Sequence, residues 1–209
     1  MAQPARDNRI SRRSWLMAGL ALPLFRLRAA ESMAVSFDGD NLHVAAPDLH
    51  FLTGKALDRL KNADTVVFLS QITLFSDERG TIFKPPSRDR FVVSYDLWEE
   101  KFSVTFPPPG RGSLSHLSAG QAEAFCLENL AASALGIAPD RPFWLRFELK
   151  APSQRELSKV VGDSGISLSS MVELFSRKPG AGDPYWVRTA GPLRLADLAR
   201  TTGRGPRIG

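Results

Sequence analysis

Cysteine is almost missing from this chain: Cys126 is the only one in 209 residues, so no disulfide can close within it. With no C-x-x-C partner and no adjacent basic group to favour a thiolate, Cys126 reads as a small buried hydrophobe on a helix. Long apolar runs are missing as well. Trp15 to Phe25 spans eleven residues, short of the ~20 that a bilayer-spanning helix requires, and no second run comes closer. Internal repeats are absent. So are the G-x-S-x-G elbow of a serine hydrolase and, after Gly110-Arg111-Gly112, the Lys-Ser/Thr ending of a phosphate loop. An excess of charge of one sign is confined to the start. The chain holds 27 basic and 22 acidic residues, of which residues 1–30 contain six arginines and one aspartate, leaving 21 of each sign in residues 31–209. The alkaline character therefore belongs to the leader, and a nucleic-acid surface is not expected.

What is present begins with Ser11-Arg12-Arg13-Ser14-Trp15-Leu16, two adjacent arginines ahead of a modest apolar segment. With the basic residues Arg6 and Arg9 before it and Ala29-Ala30 behind it, this is the order of a twin-arginine export signal. Arg28 stands where a small residue is usual, and cleavage is expected near Ala30. The organisation that follows is a signal over 1–30, a single domain over 31–199 and a disordered Gly-, Arg- and Pro-rich tail over 200–209. The expected location is periplasmic or otherwise exported, with membrane contact only if the signal stays uncut.

Along the domain, Leu42 and Val44 set an even apolar phase while Leu49 and Phe51 set an odd one. A period of two cannot change face without an extra residue, so a bulge or break is expected at Ala45-Ala46-Pro47. Thr53–Asn62 patterns as a short helix capped by Thr53, with Ala56, Leu57 and Leu60 inward. Thr65–Phe75 is apolar in both phases, which predicts a central strand covered on both faces. Lys84–Arg90 reads as a polar crossing loop. Phe91–Leu97 and Phe102–Phe106 alternate around Trp98-Glu99-Glu100-Lys101, which predicts a hairpin. Residues 111–116 read as a flexible crossing. Ser118 and Gln121 form a capping-box pattern ahead of a helix predicted over Ala119–Leu135, with Ala122, Phe125, Cys126, Leu130 and Ala134 as its buried stripe and Gly136 as its stop. Phe143–Leu149 alternates as a half-buried strand with Arg146, Glu148 and Lys150 outward. Helices are expected at Ser153–Val161 and Leu168–Ser176, the second with a capping box from Ser170 and Glu173, and a last short strand at Tyr185–Thr189. The sum is α+β: an antiparallel, β-sandwich-like core with one substantial helix and short flanking helices.

The run from Leu49 to Val104 carries a likeness as a whole. The helix Leu57-Asp58-Arg59-Leu60-Lys61-Asn62-Ala63, the strand Thr65–Phe75, a basic crossing and Arg90-Phe91-Val92-Val93-Ser94-Tyr95-Asp96-Leu97 follow one another. This resembles the exported bacterial family called domain of unknown function 4390, whose later helix and strand correspond to 119–135 and Phe143–Lys150 here. The chain departs from it at Thr81–Arg88, where that family is often aromatic-rich, and in its paired arginines. The resemblance implies a compact exported domain and brings no catalytic residues with it.

Few residues suggest chemistry. If the chain breaks where the phase slips, His43, Asp48 and His50 point away from the core together, and two imidazoles with a carboxylate are the donors a divalent metal takes. Glu99 and Glu100 are adjacent at a solvated hairpin tip, which suits a charged edge better than acid–base work. His116 among Ser113, Ser115 and Ser118 lies in a polar loop leading to a cap. Trp144, Arg146, Tyr185, Trp186 and Arg188 place aromatics beside arginines on outward strand positions, the composition of binding hot spots. The expectation is an exported, non-catalytic binding or accessory module with a protein partner in the cell envelope and no cofactor. The alternative is a metal- or cofactor-dependent periplasmic enzyme, since twin-arginine export carries folded proteins.

Overall fold

A computed structural model describes residues 33–107, 112–162, 165–177 and 183–201. The expected signal, residues 1–30, and positions 202–209 of the expected tail lie outside these. In chain order the elements are β1 (Ala34–Phe37), β2 (Asn41–Ala45), α1 (Gly54–Lys61), β3 (Val66–Phe75), β4 (Ser87–Asp96), β5 (Lys101–Thr105) and β6 (Ser113–Leu117). They continue with α2 (Ala119–Glu128), β7 (Ala131–Ser133), β8 (Phe143–Lys150), α3 (Gln154–Val160), β9 (Val161–Gly162) and β10 (Gly165–Ile166). Last come α4 (Leu168–Ser176), β11 (Tyr185–Leu193), a 3₁₀ turn at Leu195–Asp197 and β12 (Ala199–Arg200).

Six strands form an antiparallel sheet in the order β11-β8-β3-β4-β5-β6. Four form a smaller sheet, β12-β1-β2-β7, antiparallel except where β12 runs parallel to β1. The fold is the α+β, sandwich-like class that the patterning predicts. Among the described residues no helix is long and apolar enough to cross a membrane.

The apolar double phase of β3 is used as expected. Val66, Phe68, Ile72 and Leu74 enter the main core with Phe91 and Val93 of β4, Leu42 and Val44 of β2, Leu60 of α1 and Cys126 of α2. Such fully buried side chains each contribute roughly 1.5–3 kcal/mol from removal of apolar surface from water. On the other face, Leu69 is covered by Met171 and Leu174 of α4. Lys150 fastens that helix: its Nζ donates to Leu174 O at 2.9 Å and Arg177 O at 3.1 Å, satisfying carbonyls at the helix end, and it lies 5.1 Å from the rings of Phe175 and Tyr185. Burial pushes the Lys150 ammonium below its ordinary range. The outward position predicted for Lys150 is thus a buried one under α4.

The hairpin β4–β5 and the break after β2 follow the prediction: Ala45 ends β2, and Leu49 N closes a turn on Ala46 O at 3.0 Å before Leu49 and Phe51 turn inward. The Ser118–Gln121 capping box is formed. Elsewhere tertiary pairing overrides local pattern. The helix predicted to Leu135 stops at Glu128, where Asn129 Nδ2 donates to Phe125 O at 2.8 Å; the next residues become β7 because the free edge of β2 accepts them. The polar crossings are strands at their ends. Ser87–Arg90 pairs with β3 through matched polar groups, Arg88 Nε donating to Gln71 Oε1 at 2.7 Å, and Ser113–Leu117 forms the exposed edge strand β6. Ser167, not Ser170, caps α4, accepting from Ser170 N at 3.1 Å. β11 continues to Leu193, and Arg200, expected to be disordered, pairs with Phe37. Gly191 in β11 has φ +149°, and a Cβ there would overlap the Trp144 indole, so only glycine lets that ring lie against the strand.

Candidate functional site

Small side chains line the site: Ala45, which ends β2, and Ala46 after it share a cavity wall with Gly120 and Ala124 of α2, and none of the four is large enough to fill the space. A cavity of ≈350 Å³ results, walled by Val44, Leu49 and Leu127. Its polar residues are His50, Glu123 and Glu128. The size falls at the lower end of small-molecule sites, which run from about 300 to 1,000 Å³.

Glu123 organises the wall. It is only 6 % exposed, yet every oxygen is engaged: Oε1 accepts Phe51 N at 2.7 Å and Leu52 N at 2.8 Å, and Oε2 meets His50 Nδ1 at 3.0 Å. One carboxylate thus holds three successive residues of the segment between β2 and α1 against α2. The His50 side chain is 66 % exposed, and its Nε2 has no protein partner among the described residues. A carboxylate on Nδ1 favours the tautomer with its proton there and leaves Nε2 as an acceptor. The same bond to Glu123, with its charge and that of Asp48, raises the His50 pKa above the ordinary 6.5.

This fixes the sign of a pH effect. Because the folded-state value is raised, the pair's contribution to stability is full below pH 6.5 and fades as pH rises through the folded-state value. An NMR titration of the three imidazoles is expected to show His50 titrating above 6.5 and returning toward it in Glu123→Gln; an unshifted His50 in the wild type would show that the pair does not form in solution.

The residues predicted from sequence are not gathered here, apart from His50. His43 lies on β2, where its Nε2 meets Asp38 Oδ2 at 2.9 Å; that bond and the N–H groups of Asn41 and Asp40 hold the Asp38 carboxyl well below its usual range. Asp48 sits in the turn after β2. The metal set His43, Asp48 and His50 therefore does not converge: the break that ends β2 sends the two histidines to different carboxylates, and among the described residues no three metal-ligating side chains come together.

The five aromatics and arginines are split by strand alternation. Trp144, Arg146 and Tyr185 share the outer face, where Arg146 lies 5.0 Å from the Phe75 ring and Tyr185 OH donates to Glu148 Oε1. Trp186 opposes Leu149 and Arg188 opposes Phe147, so both project to the core side, and the Trp186 ring is 6.2 Å from Phe51 and 6.3 Å from Phe68. Their outward placement is corrected accordingly. At the β4–β5 tip Trp98 is 96 % exposed, and Glu99 is engaged by His116 Nδ1 at 2.6 Å. Burial pushes the Cys126 thiol far up, as suits an inert core residue.

The comparisons add nothing to this geometry: no protein-family model, no curated protein and no solved structure matches the chain. Glu123 is the functional candidate that sequence patterning passed over. A signal existed, since Ala122, Cys126, Leu127 and Leu130 are all buried and Glu123 falls inside their stripe. A charge within an apolar helix face needs a partner, and here the partner is the backbone some 70 residues earlier, at Phe51 and Leu52.

Proposed function

We propose that this protein is an exported, non-catalytic binding module whose ligand occupies the apolar cavity between α2 and the β1–β2 sheet. The observation that carries the reading is the ≈350 Å³ cavity beside an imidazole already oriented by a buried carboxylate. Mostly apolar walls with one or two placed polar groups are the usual make-up of a small-molecule site. A carboxylate-oriented imidazole is also the arrangement of a general base, the feature on which an enzymatic reading would rest. The paired arginines Arg12 and Arg13 and the resemblance of Leu49–Val104 to an exported family support the export part of the proposal.

The test is titration of the purified full chain with the neutral dye N-phenyl-1-naphthylamine, in wild type and in Ala124→Phe. The wild type is expected to take up the dye in one-to-one ratio. The variant fills the cavity, so it should lose the dye while melting at or above the wild-type temperature. Equal uptake by both proteins, or none by the wild type, would overturn the assignment. Export is checked separately by fractionating cells that express Arg12→Lys with Arg13→Lys, which should hold the protein inside.

A further inference from the structure

The chemistry left open in the cavity wall indicates what kind of head group it suits; this step rests on the cavity being the ligand site. Three donors occupy three of the roughly four acceptor sites of Glu123, and its side chain is only 7 % exposed, so it offers a ligand little more. The main acceptors that remain are His50 Nε2, which accepts when the imidazole is neutral with its proton on Nδ1, and the carboxylate of Glu128. Glu128 is exposed and has no hydrogen-bond or ion-pair partner among the described residues. It also ends α2, a helix with no basic residue in its last turn. The C-terminal end of a helix carries partial negative charge, so a carboxylate is unfavourable there and a cation favourable. No lysine or arginine is among the described residues lining the cavity. The opening thus presents two acceptors and a negative potential above an apolar interior.

We propose that the cavity takes an amphiphile bearing a protonated amine, its aliphatic body among Val44, Leu49, Ala124 and Leu127 and its ammonium at the rim between His50 Nε2 and Glu128. The ammonium donates to both acceptors and neutralises charge at the end of α2. A carboxylate head would meet Glu128 and the helix end with the wrong sign. A neutral hydroxyl would keep the apolar contacts and gain no charge pairing.

The experiment uses the full chain at pH 8 and low salt, displacing N-phenyl-1-naphthylamine with n-octylamine, 1-octanol and octanoate. Octylamine is expected to bind about tenfold more tightly than octanoate, a difference of about 1.4 kcal/mol, with octanol between them. Glu128→Gln should erase most of the advantage of the amine over the alcohol. Equal or tighter binding of octanoate, or an amine preference untouched by Glu128→Gln, overturns the head-group inference while leaving the cavity reading intact. If none of the three displaces the dye from the folded protein, the cavity reading itself falls.

Discussion

Replacing Glu123 by alanine is expected to cost about 2–4 kcal/mol of folding stability, because it orphans two buried backbone donors at once. Phe51 and Leu52 are almost wholly buried, and each gives its N–H to Glu123 Oε1. An unmade hydrogen bond at such a site costs about 1–3 kcal/mol per group. The total sits below the simple sum because the adjoining cavity lets water reach part of the site. At this chain length each kcal/mol lowers the melting temperature by about 2–4 °C, so urea and thermal unfolding both resolve the effect. Glu123→Gln is the informative companion. Its amide oxygen can still accept from Phe51 and Leu52, but its NH₂ then faces His50 Nδ1, which must become an acceptor in turn. The glutamine variant should therefore lose much less stability than the alanine variant and still alter the titration of His50. A loss below about 1 kcal/mol in Glu123→Ala would mean that the two N–H groups find other partners, since even one buried donor left unpaired costs about that much.

This site shows where sequence patterning stops. His50 stands out in the sequence as an imidazole near Asp48, but its carboxylate is Glu123, in another element and in contact only once α2 packs against the segment after β2. Trp186 and Arg188 fail for a related reason. Tyr185, Trp186 and Val187 are consecutive large side chains, so alternation alone cannot say which phase faces inward; pairing with β8 decides it by setting Trp186 opposite Leu149. The parts that were legible are those in which one segment carries its own answer. The slip between Val44 and Leu49 demands a break, β3 is apolar in both phases, and the β4–β5 hairpin alternates on either side of a four-residue turn. α2 was overextended because Leu130 and Ala134 continue a helical stripe, whereas the unfilled edge of β2 draws Ala131–Ser133 into a sheet. An edge vacancy is a property of the assembled fold, and no local pattern reports it.

Phe68→Ala is expected to be the most damaging single change in the core, at about 3–5 kcal/mol. Phe68 lies on the central strand of the large sheet and is fully buried. Its ring stacks on Phe91 at 5.2 Å, meets Phe51 edge-on at 5.1 Å and lies 6.3 Å from Trp186. Phe51 belongs to the segment that Glu123 holds, so the aromatic cluster joins the large sheet to the wall of the candidate site. Removing the central ring leaves a void bounded by groups already fixed by the sheet and by the Glu123 bonds, so little collapse can compensate. Against a total stability of about 5–15 kcal/mol for a typical domain, the variant loses a large share of its margin. The measurement is urea unfolding followed by near-ultraviolet circular dichroism, which reports the packing of the aromatic side chains, Trp186 among them. Trp186→Ala completes the argument: as a member of this cluster it should destabilise the fold too, whereas an outward-facing binding residue in its place would leave stability nearly unchanged.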